Sequence, residues 1–495
     1  MARILIVDDD ADSVRIATQV LRTQGYEVNA ADDRSEALAK MERASPDLML
    51  VDQAFTSGSE GLVDVMSHSK SLRTVPVVIL ASRPDASDGL NERMKSIPRL
   101  IKPVGLADLR AMVADHIKRT AFIYSPRYAE YQYGPEHPLE PGRARETVIL
   151  CERYDLLQKP WVDVLEPQVA RPEVMELFHD REYLSALEEA NDGLFREELL
   201  EFGLGTLDCP VFPGVYDYSA LVTGGTILAA DLVKTDKYDL TFNPAGGFHH
   251  AQPRNAEGFC YINDIAIAIR SLVLDGYRIA YVDVDAHHGD GVQGAFYEDD
   301  QVLTISFHET GRTLFPWSGF ETEIGSGKGR GYNINVPLPP QTDDEAFLMG
   351  FDEVVPPALS AFDPDVVFVL MGADGLVVDP LSHLRLTNNA YAEVAKVMEL
   401  LSPKCVVLGG GGYNMNGVTR AWCLAWAIMN GIEPQDEYVG AIGGMMVGTE
   451  YVEGGGLRDR HAYTTGPLKA EIRKEVERVT EYIKDTALPL IKSSP

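Results

Sequence analysis

Short apolar runs alternate with stretches of helical spacing along almost the whole chain. In residues 1–120 the runs ILIV (4–7), LMLV (48–51) and VPVVIL (75–80) read as buried strands, bounded by acids, Pro or Gly. Between the first two lie VRIATQVLRTQG and RSEALAKMERAS, whose apolar residues fall three and four apart; the former stops at Gly25. A weak strand at Leu100–Ile101 and a helical ADLRAMVADHIKRT complete this part. Such alternation predicts a parallel sheet with helices on both faces, and function gathers at the carboxyl ends of its strands.

An aromatic, Pro-rich stretch, FIYSPRYAEYQYGPEHPLEPGRARE, then breaks the pattern, which predicts one domain over 1–118, a linker at 119–123 and a second domain over 124–495. Five further strand-like runs follow: KYDLTFNPAGGFHH, RIAYVDVDAHHGDG, VLTISFHE (302–309), DVVFVLMGAD and KCVVLGGGGYN. The helical segments INDIAIAIRSLVLDG, EAFLMGFDEVVPPALSAF and NNAYAEVAKVMELLS separate them, so a second, mostly parallel α/β sheet is predicted, with five strand ends aimed at one edge. The Gly-rich segment 440–463 reads as a mobile loop. In the last helix Ile472, Val476, Val479 and Ile483 form a stripe suited to core packing.

The strand ends carry the chemistry. In YVDVDAHHGDG (281–291), Asp283, Asp285 and His287 alternate, so a strand running through them would put all three on one face. A satisfied buried network is the plainer reading, but so many ionisable groups call for a cation, and Asp-x-His at a strand end suits a catalytic zinc with an open position. The other ends supply His249 and His250, His308, Asp374, and Tyr413 behind Gly409–Gly412. Asp285, His287 and Asp374 would make three ligands, a histidine the base and acid of a hydrolysis, and Tyr413 a donor to the oxyanion. In the first domain Asp8, Asp9 and Asp52 end strands beside Lys102; clustered carboxylates suit Mg²⁺, and the lysine a phosphoryl group. Taken alone, His137 and Arg143 read as ordinary loop residues.

Composition narrows the partners. The 495 residues carry a net charge of −31, yet residues 1–120 hold 16 Lys+Arg against 18 Asp+Glu, so the acidity belongs to the second domain. That speaks against direct nucleic-acid binding and towards cationic ligands or peptides, although a salt-adapted host would share it. Cys151, Cys209, Cys260, Cys405 and Cys423 form no CxxC pair, the N-terminus has no signal-peptide pattern and no apolar run is long enough for a membrane. A cytoplasmic protein is expected.

Two resemblances give these patterns names. Residues 1 to about 118 resemble a response-regulator receiver domain, which implies a flavodoxin-like (βα)5 fold, Asp52 as phospho-acceptor, Asp8 and Asp9 as Mg²⁺ ligands, Lys102 as the phosphate-sensing lysine and a sensor histidine kinase as partner. Two features depart from that family: Ala81 falls where a Ser or Thr usually ends the fourth strand, and the loop after Asp52 lacks the usual Pro. A receiver-like module used only for docking or dimerisation is the alternative.

From about 122 onwards GGFHHAQP, GFCYINDIAIAI, YVDVDAHHGDGVQ, FPWSG, GADGLVVDPL and LGGGGYN resemble the histone deacetylase family of zinc amidohydrolases, its bacterial acetoin-utilisation branch in particular. The resemblance implies an arginase/deacetylase-type α/β fold with Asp285, His287 and Asp374 as zinc ligands. It implies His250 as general base and His249 as its electrostatic or acid partner, with Asp283 and Asp290 orienting the two imidazoles. Tyr413 matches the oxyanion-stabilising tyrosine, and Phe259 and Phe315, with Gly258 and Gly411, the acyl-lysine tunnel. Arg143 matches an internal-channel arginine, and Glu198 a substrate-holding rim residue. A structural K⁺ near the DVDAHH strand is implied too, whereas His288 and His308 are expected to be structural. The expected activity is zinc-dependent hydrolysis of acyl-lysine in proteins or peptides, influenced by the receiver. Hydrolysis of acetylpolyamines or other small acylated amines, and a non-catalytic signalling scaffold, are the alternatives; a homo-oligomer is compatible with each.

Overall fold

A computed structural model describes residues 2–56, 61–68, 75–82, 97–117, 119–235, 237–402, 404–434 and 456–492. Most of the Gly-rich segment 440–463 lies outside them. The chain divides into two compact units, Met1–Arg119 and, in the main, the rest; Gln158–Asp163 and Asn430–Ile432 group with the first.

In the first unit the expected runs form strands β1 (Arg3–Val7), β3 (Leu48–Asp52), β4 (Val77–Ala81) and β5 (Arg99–Ile101), joined by β2 (Glu27–Ala31). The order is β2-β1-β3-β4-β5 with parallel pairings throughout, the doubly wound order expected of a flavodoxin-like fold. β2 carries no apolar run because it is an edge strand: only Val28 and Ala31 are buried. Helices Ala11–Thr23 and Arg34–Arg43 start on Asp10 and Asp33, whose carboxylates accept from Ser13 and Glu36 N–H groups and so satisfy orphan donors.

The expected linker is a strand. Residues Arg119–Ile123 form β6 of an eight-stranded sheet, and Ala121, Phe122 and Ile123 are completely buried. The reason lies in side-chain packing: the Phe122 ring meets those of Phe242 and Trp426 edge-on, each at 5.3 Å, so leaving this segment in water would expose a large aromatic surface. The second unit therefore begins directly at this strand.

The same sheet contains β7 (Val162–Leu165), β8 (Tyr238–Asn243), β9 (Ile279–Asp283), β10 (Val302–Glu309), β11 (Asn333–Leu338), β12 (Val366–Leu370) and β13 (Cys405–Leu408). Its order is β11-β10-β9-β12-β13-β8-β6-β7, and the pairings from β11 through β8 are parallel. Helices Asp264–Leu274, Asp344–Phe362 and Asn388–Leu401 match the three helical segments of the sequence. In Gly466–Thr486 the stripe Ile472, Val476, Val479 and Ile483 is buried, as core packing requires.

Register positions the site. Asn243 pairs with Leu408, Leu408 with Leu370, Leu370 with Asp283, and Asp283 with Ser306. Four strands thus stop at one level, and their following loops stand side by side. Behind them Trp422, fully buried on helix Met415–Met429, donates its indole N–H to Met371 O at 2.8 Å. Trp422→Ala is expected to cost about 3–5 kcal/mol through cavity formation, plus an unmet carbonyl, measured as a lower urea midpoint at unchanged slope.

Candidate active site

The strand preceding the acidic motif ends at Asp283. Asp285 and His287 therefore lie in the loop beyond it, and backbone turns orient them rather than the pleat. Asp283 Oδ1 accepts Asp285 N–H at 3.0 Å, and Asp285 Oδ1 accepts His287 N–H at 2.9 Å, a chain of local carboxylate caps. From the next strand end Asp374 reaches across, and its Oδ1 accepts Ala286 N–H at 2.8 Å. One donor atom each from Asp285, His287 and Asp374 lies within 4.8 Å of the others, all three residues buried; among the described residues this is the group that could hold a metal ion. His287 Nδ1 stands 2.8 Å from Asp374 Oδ2 and 3.3 Å from Asp285 Oδ1. Burial opposes charge on His287, but the two carboxylates outweigh it and push its pKa up, the same field that attracts a divalent cation.

Two glycines make room for this cluster. A β-carbon at Gly372 would fall 1.9 Å from Asp285 Oδ2, and one at Gly411 would fall 2.2 Å from Asp374 Oδ2. Gly411 also donates its N–H to Asp285 Oδ2 at 2.7 Å, so the GGGG turn approaches as backbone and contributes a hydrogen bond.

Beside the cluster the His249 and His250 rings pack at 4.0 Å between centroids, tilted by 58°, and each ring is held by its own carboxylate. His249 Nδ1 is 2.9 Å from Asp283 Oδ2, which also accepts the Tyr281 hydroxyl at 2.6 Å. His250 Nδ1 is 2.8 Å from Asp290 Oδ1. The two imidazoles differ electrostatically. Burial opposes charge on His249, but Asp283 and Asp285 prevail and raise it to about 9. Burial, then His249 and His287, hold His250 well below the usual imidazole value, so it is the neutral ring of the pair.

Half-buried Tyr413 is placed by its backbone, whose N–H donates to Asp379 Oδ2 at 2.7 Å. Burial and the Asp374 and Asp285 charges push its hydroxyl far up, which keeps it protonated as a donor. Phe259 meets Tyr413 edge-on at 5.5 Å, Phe315 meets His250 at 5.1 Å, and Gly258 lies against both His250 and Phe315. Arg143 opens helix Arg143–Arg153, is buried, and donates to Gly412 O at 2.8 Å while lying over the Trp422 ring. It is no ordinary loop residue. Glu198 is exposed on the turn Glu197–Phe202. Asp208 is exposed too, and its backbone carbonyl accepts from His137 Nε2 at 3.2 Å, a ring that is edge-on to Phe259 at 4.6 Å.

In the first unit Lys102 Nζ lies 2.6 Å from Asp52 Oδ2 and 2.7 Å from Asp8 Oδ2. Burial works against its charge, but the two carboxylates raise its pKa. Asp8 and Asp52 are buried, Asp9 exposed beside them, and Ala81 ends β4 buried while Ser82 faces solvent.

Comparison with known proteins matches this architecture twice. Residues 137–429 fit the family profile described as Histone deacetylase domain, and residues 4–114 that described as Response regulator receiver domain. The acetoin utilization protein AcuC of Bacillus subtilis is 40% identical over 65% of this chain and 84% of its own length. Histone deacetylase 19 of Arabidopsis thaliana is 38% identical over 65% of this chain and 64% of its own. The crystal structure of a histone deacetylase homolog from Aquifex aeolicus superposes with a TM-score of 0.66 at 33% identity, covering 74% of this chain and all of that one. The chain belongs to the histone deacetylase family.

In this family member, every residue expected at the metal and the histidine pair meets at the common sheet edge. His288 and His308 have both ring nitrogens engaged by Ser318 and Gln293, and by Ser306 and Gly319, as expected of structural histidines. Three contributors escaped the sequence. Tyr281 was readable in principle, since it stands two residues before Asp283 on the same strand face; Gly372 and Asp379 carry no local signal, because each acts on a residue of another loop. No helix of the described residues is long and apolar enough to cross a membrane. Gly372→Ala, which forces Asp285 aside, is expected to weaken divalent-metal binding by about 10–100-fold, measured by competition against a chromophoric chelator.

Proposed function

We propose that the chain is a zinc-dependent deacylase of N-acyl amides, acyl-lysine in proteins or peptides foremost, and that phosphorylation of Asp52 modulates it. One observation carries this reading: three buried donor atoms within 4.8 Å stand beside a pair of imidazoles, each oriented by its own carboxylate. Two carboxylates and one imidazole fit zinc with a position left open for chemistry. A zinc ion held there supplies a Lewis acid that polarises the amide carbonyl and lowers the pKa of the attacking water.

The remaining work falls to side chains. His250, kept neutral with its Nδ1 proton on Asp290, presents Nε2 to take the proton of the water. His249, kept protonated by Asp283, supplies positive charge, or the proton itself, as the amine departs. Tyr413 donates its hydroxyl to the developing oxyanion. Phe259 and Phe315, with Gly258 and Gly411, receive the methylenes of the acylated side chain, and Arg143 beside Gly412 attracts the carboxylate product. Exposed Glu198 on the turn Glu197–Phe202 takes the rim position that the family resemblance assigns to it, holding the substrate backbone. Mg²⁺ at Asp8, Asp9 and Asp52, K⁺ beside the Asp283 strand, a sensor kinase as phosphoryl donor and a cytoplasmic location belong to the same reading. Small acylated polyamines are the second substrate class, favoured by the net charge of −31.

Two measurements test this. Zinc-loaded protein is expected to release acetate from an acetyl-lysine peptide, with Tyr413→Phe lowering kcat by about 10²–10³; an acetylputrescine arm separates the substrate classes, and no acetate in either arm sinks the enzyme reading. BeF₃⁻ with Mg²⁺ is expected to change the deacylation rate of the parent but not of Asp52→Ala. Equal rates with and without it reduce the receiver to a docking module.

A further inference from the structure

One polar side chain outside the residues already given roles, that of Gln252, contacts both Asp290 and the His250 backbone. Gln252 opens a tight turn in which its N–H donates to Asn255 O at 2.9 Å and Asn255 N–H returns to Gln252 O at 3.4 Å. Buried His179 pins that turn. Asn263 N–H donates to His179 Nε2 at 2.9 Å, so the ring proton sits on Nδ1, which faces Pro253 O at 3.3 Å. Asp180 N–H holds the same carbonyl at 2.9 Å. Burial keeps His179 neutral, with its pKa down at about 3, so the anchor retains one tautomer.

The turn delivers the Gln252 amide to a defined place. Its Nε2 lies 2.9 Å from Asp290 Oδ2 and 3.1 Å from His250 O. Both are acceptors, so the amide nitrogen must face them and both its hydrogens are used. The other Asp290 oxygen holds His250 Nδ1 at 2.8 Å. The hydrogen bonds close a ring from the His250 backbone, through Gln252 and Asp290, to the His250 imidazole.

We propose that Gln252 is a positioning residue: by holding Asp290 and the His250 backbone together, it fixes the plane and tautomer in which His250 presents Nε2. The inference rests on His250 being the general base. Without the amide, Asp290 Oδ2 loses the side chain that ties it to the His250 backbone, and the carboxylate can turn about its Cβ–Cγ bond, carrying the imidazole with it; small misplacements of a reacting group are costly.

The test is Gln252→Leu in the zinc-loaded full chain. kcat on an acetyl-lysine peptide is expected to fall about 10-fold with KM unchanged, and the acid limb of the kcat profile to move to higher pH. The His250 Nδ1–H resonance is expected to shift in ¹⁵N-histidine spectra. Gln252→Lys, which keeps a donor within reach of Asp290, is expected to restore all three, and Gln252→Leu should cost little more once Asp290→Asn is present. An unchanged pH limb and resonance, or an equal loss in the Asp290→Asn background, overturns the proposal. If the parent cleaves no amide, the deacylase reading falls, while the imidazole resonance still decides whether Gln252 orients His250.

Discussion

The parallel register of four strands carries the catalytic half of the molecule. Asn243, Leu408, Leu370 and Asp283 pair in sequence across the sheet, so four chain exits open at one level. A parallel sheet hides its strands on both faces and leaves the carboxyl-end loops as the place where polar groups can converge. The metal-facing cluster, the histidine pair and the tyrosine arrive by these exits: the histidine pair after β8, Asp285 and His287 after β9, Asp374 after β12 and Tyr413 after β13. A one-residue slip in the β9–β12 pairing would carry Asp374 about 3.3 Å along the strand, comparable to the separations that now bring its oxygens to His287 and Ala286.

Convergence creates the electrostatic problem that the site turns to use. Three carboxylates, Asp283, Asp285 and Asp374, and three imidazoles, His249, His250 and His287, share a buried volume, and they cannot all take their solution charge states. Asp283 and Asp285 hold His249 protonated, and that charge, with burial, helps hold His250 neutral. Adjacent residues of the same type thus acquire opposite roles from their surroundings. The Tyr281 hydroxyl shares Asp283 Oδ2 with His249 while the Asp285 N–H takes Oδ1, and the Gln252 amide takes the Asp290 oxygen that His250 leaves, so neither carboxylate is left half-satisfied in a low-dielectric setting.

The first domain reaches a related solution on a smaller sheet. Asp8 and Asp52 end neighbouring strands, and Lys102 spans them because β5 ends just before it. The ammonium balances both buried acids. At Ala81 the position beside this cluster offers no hydroxyl, and Ser82 turns to solvent. The charge arrangement expected of a receiver is therefore present, without the hydroxyl expected at the end of the fourth strand.

Much of this was written in the sequence, for a local reason. Apolar runs ending in polar or Gly-rich residues mark buried parallel strands, so the two sheets, most helices and the residues at the strand ends were legible, as were the cores of long motifs. Whatever depended on partners remote in sequence was not. Arg119–Ile123 reads as a linker until Phe122 is seen between Phe242 and Trp426. The alternation of Asp283, Asp285 and His287 suggests one face, yet the strand stops at Asp283 and turns divide them between supporting and metal-facing roles. Gly372, Asp379 and Gln252 matter through groups on other loops, Asp285, the Tyr413 N–H and Asp290, and no local pattern encodes a distance across a sheet edge. The residue types at each strand end were determined by the sequence itself; which of them touch, and with what charge, was decided by register and burial.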